Sequence, residues 1–136
     1  MKDEVNLREI PEQYKEILQG LMNEGDLETV LFLRILMETG IRSIDVYKLE
    51  PACIQQRNIV IMESKRPQYY ELEGRYPKIS KKTEQIAKIL VEKQGKYFTK
   101  NSLYFKRKIE KYSKDYSFMV HYLRHYRKII AYELRQ

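Results

Sequence analysis

Two arginines and both histidines of the chain stand where oxyanion chemistry could be done. Arg42 follows Gly40-Ile41 at the end of a segment that is apolar nearly all round, so its guanidinium is anchored close to a core while its tip can reach solvent. Arginine in such a place rarely lacks a partner. Asp45, three residues on in the same helical turn, offers a salt bridge. Arg124 lies in His121-Tyr122-Leu123-Arg124-His125. At helical spacing His121, Arg124 and His125 share one side of a helix. A guanidinium binds planar oxyanions bidentately and an imidazole can donate or move a proton near neutral pH, so the cluster suits a phosphate. A basic, solvated helix face is the plainer alternative.

The charge distribution favours a polyanionic partner. The formal net charge is +7, but residues 1–30 hold three basic and eight acidic side chains, a net −5, which leaves +12 on residues 31–136. Residues 96–136 alone carry eleven Lys or Arg against Glu110, Asp115 and Glu133. Such density attracts nucleic acid by counterion release. A Lys-, Tyr- and Ile-rich composition also arises from AT-rich coding sequence without functional meaning. No run approaches the roughly 18 apolar residues of a membrane span. Nothing behind Met1-Lys2-Asp3-Glu4 reads as a secretion signal, so no membrane partner is expected and the expected setting is cytoplasmic. Cys53, the single cysteine, excludes an intramolecular disulfide and a cysteine-rich zinc site and reads as a packing residue. The acidic residues show no paired two-metal spacing, so neither a metal nor another cofactor is expected.

A length of 136 residues fits one domain, and no repeat or Gly/Ser-rich linker divides it. Pro11 opens a helix to about Asn23, with Tyr14, Ile17, Leu18 and Leu21 on one face and Gly25 beyond its end. Asp26 caps a second helix, Leu27 to Glu38, apolar nearly all round and therefore buried, with Gly40 stopping it. A short helix from Ser43 to about Leu49 follows, and Pro51 ends it. Ile59-Val60-Ile61-Met62 and Gln68-Tyr69-Tyr70-Glu71-Leu72, parted by Ser-Lys-Arg-Pro, read as strands of a small antiparallel sheet. Ser80 caps a helix through Lys93 with a buried stripe of Ile86, Ile89 and Leu90, ended by Gly95. Asn101 caps another through about Lys114. The last helix, about Phe118 to Leu134, sets Phe118, Tyr122, Tyr126, Ile129 and Ile130 on one face and His121, Arg124, His125 and Lys128 on the other. The fold class is thus expected to be α+β, mainly α with one small antiparallel sheet.

Thr39-Gly40-Ile41-Arg42-Ser43-Ile44-Asp45-Val46-Tyr47-Lys48-Leu49 resembles the first arginine box of the tyrosine recombinases and integrases, T-G-x-R-x-x-E-x-x-x-L. His121-Tyr122-Leu123-Arg124-His125 resembles the second, H-x-L-R-H, in the family's order and with a hairpin between the two. With a lysine at the hairpin turn, the resemblance extends over about residues 26–136. It implies a tyrosine recombinase catalytic-core fold acting on duplex DNA, with strand cleavage and rejoining through a phosphotyrosine intermediate and a possible homo-oligomer assembled on the DNA.

Carried over residue by residue, the resemblance implies that Arg42 and Arg124 hold the non-bridging oxygens of the scissile phosphate, while His121 hydrogen-bonds it and assists proton transfer. Asp45 matches the acidic support position, and His125 is a second support. Lys65 matches the lysine that protonates the leaving 5′ oxygen; Arg66, its neighbour, is the alternative should the alignment slip by one. Lys65, Arg66 and Lys128 are the expected DNA-backbone contacts.

The family places a His or Trp box and then a tyrosine nucleophile well downstream of the second arginine. Only twelve residues follow Arg124 here, and Tyr126 and Tyr132 fall within the same expected helix, so no nucleophile is assigned in this chain. Three readings stay open: a piece of a longer recombinase, a protein whose tyrosine-bearing segment comes from another protomer or chain, and a degenerate relative. Of these, the trans arrangement fits least well, because the whole last box is missing and not the tyrosine alone. The family's N-terminal core-binding domain has no counterpart in the short, acidic residues 1–25. From a different class, the alternative function is a non-catalytic basic DNA-binding or regulatory protein that retains the recombinase fold. A third reading is a basic helical module that docks an acidic protein.

Overall fold

The computed structural model describes residues 10–63, 66–69, 71, 74 and 76–113. Helix α1 (Ile10–Glu24) and helix α2 (Leu27–Thr39) form an antiparallel hairpin. Gly25 turns it at a left-handed φ of 77° and Asp26 caps α2, its carboxylate accepting the Thr29 amide. Every apolar position from Val30 to Met37 is buried, which realises the nearly all-apolar pattern of α2 as the central helix. Tyr14, Ile17 and Leu21 of α1 pack on it from one side, with Leu18 partly buried.

After α2 come a short helix α3 (Ser43–Val46) and a 3-10 turn (Pro51–Cys53). Helix α3 is shorter than its sequence pattern suggested: with Val46 fully buried, the chain bends there, and the Leu49 amide returns to the Val46 carbonyl. Pro51 opens the 3-10 turn as well as ending the helical run, which suits a residue with preset φ and no N–H. Cys53 is half-buried and not a full core member.

The sheet is antiparallel, in the order β1 (Ile54–Gln55), β2 (Asn58–Glu63), β3 (Arg66–Tyr69). Strand β3 starts earlier than the expected Gln68–Leu72, because Glu63 pairs with Arg66 and closes the hairpin there. Glu71 lies outside the strand, and Tyr70 and Leu72 lie outside the described residues. The sequence break at Arg66-Pro67 was misleading. Pro67 sits opposite Met62 on an edge strand, one place beyond the closing pair, where the ladder asks for no N–H. The β1–β2 turn is made by Gln56 and Arg57, both at positive φ (51° and 67°).

Helix α4 (Lys81–Gln94) runs back along α2, and helix α5 (Ser102–Tyr112) follows the Tyr97–Phe98 corner. Phe105 stacks on Phe32 at 4.8 Å between ring centroids, and Phe98 meets both edge-on. The stripe expected of α4 needs correcting: Ile89 is 48% exposed, and Thr83 and Ala87 join Ile86 and Leu90 in the interior. At about 100° per residue these four share one side, and Thr83 is drawn inward by polar partners on α2. The expected last helix, from Phe118 to Leu134, lies outside the described residues. The described part is therefore mainly helical with a small antiparallel sheet. No helix among the described residues is long and apolar enough to cross a membrane.

Candidate functional site

Arg42 stands at the N-cap of α3, three residues beyond the last turn of the most deeply buried helix. Its position is fixed on both sides. Upstream, Gly40 adopts φ 78° and its amide bonds the Leu36 carbonyl at 2.9 Å, a left-handed helix stop that a residue with a Cβ would strain. Ile41 is buried immediately before Arg42. Downstream, the Arg42 carbonyl accepts the amides of Asp45 at 2.9 Å and Val46 at 3.1 Å, and Val46 is fully buried. The side chain of Arg42 is exposed.

The ion pair that the spacing of Arg42 and Asp45 allowed is not formed. Both are exposed, and Arg42 enters no salt bridge or side-chain hydrogen bond among the described residues. A guanidinium left in this way, on backbone held by hydrogen bonds and buried neighbours, is available to an external oxyanion.

The direction of the helices bears on what can meet it. Going along α5, Tyr104 bonds Asp26, Lys108 pairs with Glu24, and the Tyr112 ring lies against Gly20. Helix α5 therefore runs antiparallel to α1, toward the end of the helix hairpin at which α2 finishes and Arg42 lies. Strands β2 and β3 pair from Glu63 and Arg66 onward. Lys65, His121, Arg124, His125 and Lys128 lie outside the described residues, and for Arg66 only the backbone is described.

A polar cluster that the sequence reading missed occupies the same end. Arg34 and Glu38, one turn apart on α2, form an ion pair at 3.5 Å. The Arg34 guanidinium donates to the Thr83 hydroxyl at 2.8 Å, and the Glu38 carboxylate accepts the Ser80 amide at 2.6 Å and the Thr83 hydroxyl at 2.6 Å. A carboxylate at the C-terminal end of its own helix is disfavoured by the helix dipole, but here it faces the N-terminus of α4, where the dipole favours it. Tyr14 packs beneath, and burial pushes its hydroxyl well above the ordinary tyrosine range, with Arg34 and Glu38 as opposing smaller influences. The available signal was the pair Arg34 and Glu38, at i and i+4 within the apolar stretch of α2 from Val30 onward.

At the other end, the acidic α1–α2 turn meets the basic later part of the chain. Glu24 pairs with Lys108 and, at 3.9 Å, with Lys111, and Glu28 accepts both the amide and the hydroxyl of Thr99. The hydrogen bond from Lys108 holds the Glu24 carboxyl below its usual range and raises the Lys108 ammonium in turn. Part of the basic charge of α5 is thus neutralised internally, while Arg107 on its exposed side has no ion pair among the described residues. A cleft of about 360 Å³ between the 3-10 turn and α4, lined by Pro51, Ile54, Ala87, Val91 and Tyr97, holds none of the candidate site residues. The Tyr97 hydroxyl at its edge donates to the Pro51 carbonyl at 3.1 Å, and burial pushes it up to about 12. Among the described residues no group of three or more His, Cys, Asp or Glu side chains could hold a metal ion.

Comparison with protein-family models, with curated proteins and with solved structures returns no match.

Proposed function

We propose that the chain is the DNA-binding core of a tyrosine-recombinase-type strand-transfer protein, with Arg42 as one of the guanidinium groups that grip a phosphodiester. The observation that carries this reading is the state of Arg42: exposed, without an ion pair among the described residues, and mounted on backbone anchored by buried Ile41 and Val46. In the reading, Arg124 supplies the second guanidinium, His121 the proton-transfer partner with His125 in support, and Lys65 the acid for the leaving oxygen. Charge grows on the equatorial oxygens of phosphorus during the reaction, and cations fixed beforehand stabilise it without reorganising. No tyrosine of these 136 residues is assigned as the nucleophile, so the core binds and polarises the phosphate without itself attacking it.

The test is equilibrium binding of the full chain to a fluorescently labelled duplex across a salt series. The reading expects affinity to fall steeply with salt and Arg42→Ala to weaken binding at each concentration, with a shallower slope by about 0.9, the increment of one lost phosphate contact. Absence of binding at low ionic strength, or an Arg42→Ala variant that matches the parent at every salt concentration, would overturn it.

A further inference from the structure

The turn that carries Arg42 contains a side chain, Thr39, that makes two hydrogen bonds at the helix end. At the end of helix α2 the Gly40 amide bonds the Leu36 carbonyl at 2.9 Å, the bond of the simple left-handed stop. In the fuller form of that stop, the next amide would also return to a helix carbonyl. Here the Ile41 amide instead donates to the Thr39 hydroxyl oxygen at 3.2 Å, and the same hydroxyl donates to the Ile35 carbonyl at 2.6 Å. Thr39 is completely buried, so water cannot substitute for either bond. One oxygen therefore couples the last turn of α2 to the residue preceding Arg42, and it decides the direction in which the chain leaves the helix.

We propose that Thr39 is a positioning residue for Arg42: its hydroxyl fixes the exit of the chain from α2 so that the guanidinium is presented in one orientation to a phosphate of duplex DNA. The proposal rests on the reading of Arg42 given above. Without the hydroxyl, the buried Ile41 amide has no acceptor and the peptide must rotate to find one. Arg42, the next residue, moves with it. An arginine fork binds an oxyanion bidentately only within a narrow range of directions, so a small rotation at Ile41 loses the contact while leaving the charge in place.

The experiment uses the full chain and a labelled duplex of arbitrary sequence over a salt series, comparing the parent with Thr39→Val, Thr39→Ser, Arg42→Ala and the Thr39→Val/Arg42→Ala pair. Thermal melting of each variant accompanies the binding data. Arg42→Ala is expected to weaken binding about tenfold, the scale of one charge-assisted contact. Thr39→Val is expected to reproduce most of that loss and the shallower salt slope, Thr39→Ser to bind as the parent does, and the double variant to be no weaker than Arg42→Ala alone. A purely structural role would lower the fraction of active protein and leave the salt slope where it was. If Arg42→Ala is weak but Thr39→Val binds with the parent's affinity and slope, or if the two losses multiply in the double variant, the positioning role is wrong while the reading of Arg42 survives. If Arg42→Ala itself binds like the parent, the reading of Arg42 fails and the role of Thr39 falls with it. Thr39→Ala serves as a second variant without the hydroxyl. Should it and Thr39→Val both fail to fold, Thr39 belongs to the fold and not to the site, and the proposal is overturned.

Discussion

The carboxylate of Glu38 accepts the backbone amide of Ser80 at 2.6 Å, across 42 residues of sequence. The last turn of α2 thereby caps the first turn of α4, and the same carboxylate accepts hydroxyl bonds from Ser80 at 3.2 Å and Thr83 at 2.6 Å. Removing the acceptor leaves those donors and the Arg34 guanidinium in a mostly buried setting, where an unpaired polar group is expensive. Glu38→Ala is expected to destabilise the fold by about 2–4 kcal/mol, and Glu38→Gln, which keeps one carbonyl oxygen, by less. Urea unfolding checks the order. A loss below about 0.5 kcal/mol for Glu38→Ala would show that water replaces the carboxylate there.

The turn between β1 and β2 predicts a gain. Gln56 and Arg57 both hold positive φ, a conformation that two-residue hairpin turns usually give to Asn and Gly. Each ordinary side chain held there carries roughly 1 kcal/mol of strain, partly offset in any glycine variant by the greater freedom of its unfolded chain. Gln56→Asn with Arg57→Gly is expected to raise stability by about 1 kcal/mol, read as a higher melting temperature. The backbone bond from the Ile79 amide to the Arg57 carbonyl, at 2.9 Å, survives the exchange. A lower melting temperature would mean that the Arg57 side chain holds more than its backbone strain suggests.

Gly20 and Tyr112 form a coupled pair. A Cβ on Gly20 would lie 2.6 Å from the Tyr112 ring, although alanine in mid-helix is otherwise favoured over glycine. Gly20→Ala is therefore expected to be neutral or destabilising in the parent and to stabilise by about 1 kcal/mol once Tyr112→Ala has removed the ring. A double-mutant cycle measured by denaturation gives the answer. Equal effects in both backgrounds would mean that α5 shifts freely over α1.

The Glu24 and Lys108 pair predicts a pH window. The Glu24 pKa is lowered, chiefly by the hydrogen bond from Lys108, so its contribution is present above the ordinary glutamate range and is lost as pH falls through the lowered value. The Lys108 pKa is raised, chiefly by the hydrogen bond to Glu24, so its contribution is full below the ordinary lysine range and is lost as pH rises through the raised value. The stability difference between the parent and Glu24→Gln should therefore be flat through neutral pH and shrink toward both extremes. Melting temperatures over a pH series provide the check. A difference that is constant down to strongly acidic pH would show that the pair contributes nothing in solution.

The local rules of the chain were legible in its sequence. Asp26, Ser80 and Asn101 cap their helices as their residue types require, each accepting an amide three residues on, and Gly40 and Gly95 stop theirs at left-handed φ. The apolar run from Val30 to Met37 determined that α2 would be the buried helix, because no orientation could have exposed it cheaply. An antiparallel pair of strands was readable from the apolar run Ile59–Met62 and the segment after it, although the start of β3 at Arg66 was not. What only the tertiary structure decided involves partners far apart in sequence. The apolar stripe of α4 includes Ile89 beside Ile86 and Leu90, yet Glu38 and Arg34 grip Thr83 and turn that side of α4 inward, leaving Ile89 half exposed. Arg42 and Asp45 had the spacing of an ion pair, yet the buried residues on either side of Arg42 set its backbone and leave both charges outward and apart. Periodicity and capping act over three or four residues and are written in the chain itself. Which polar group meets which across 40 residues or more depends on how the helices dock, and no local pattern contains that distance.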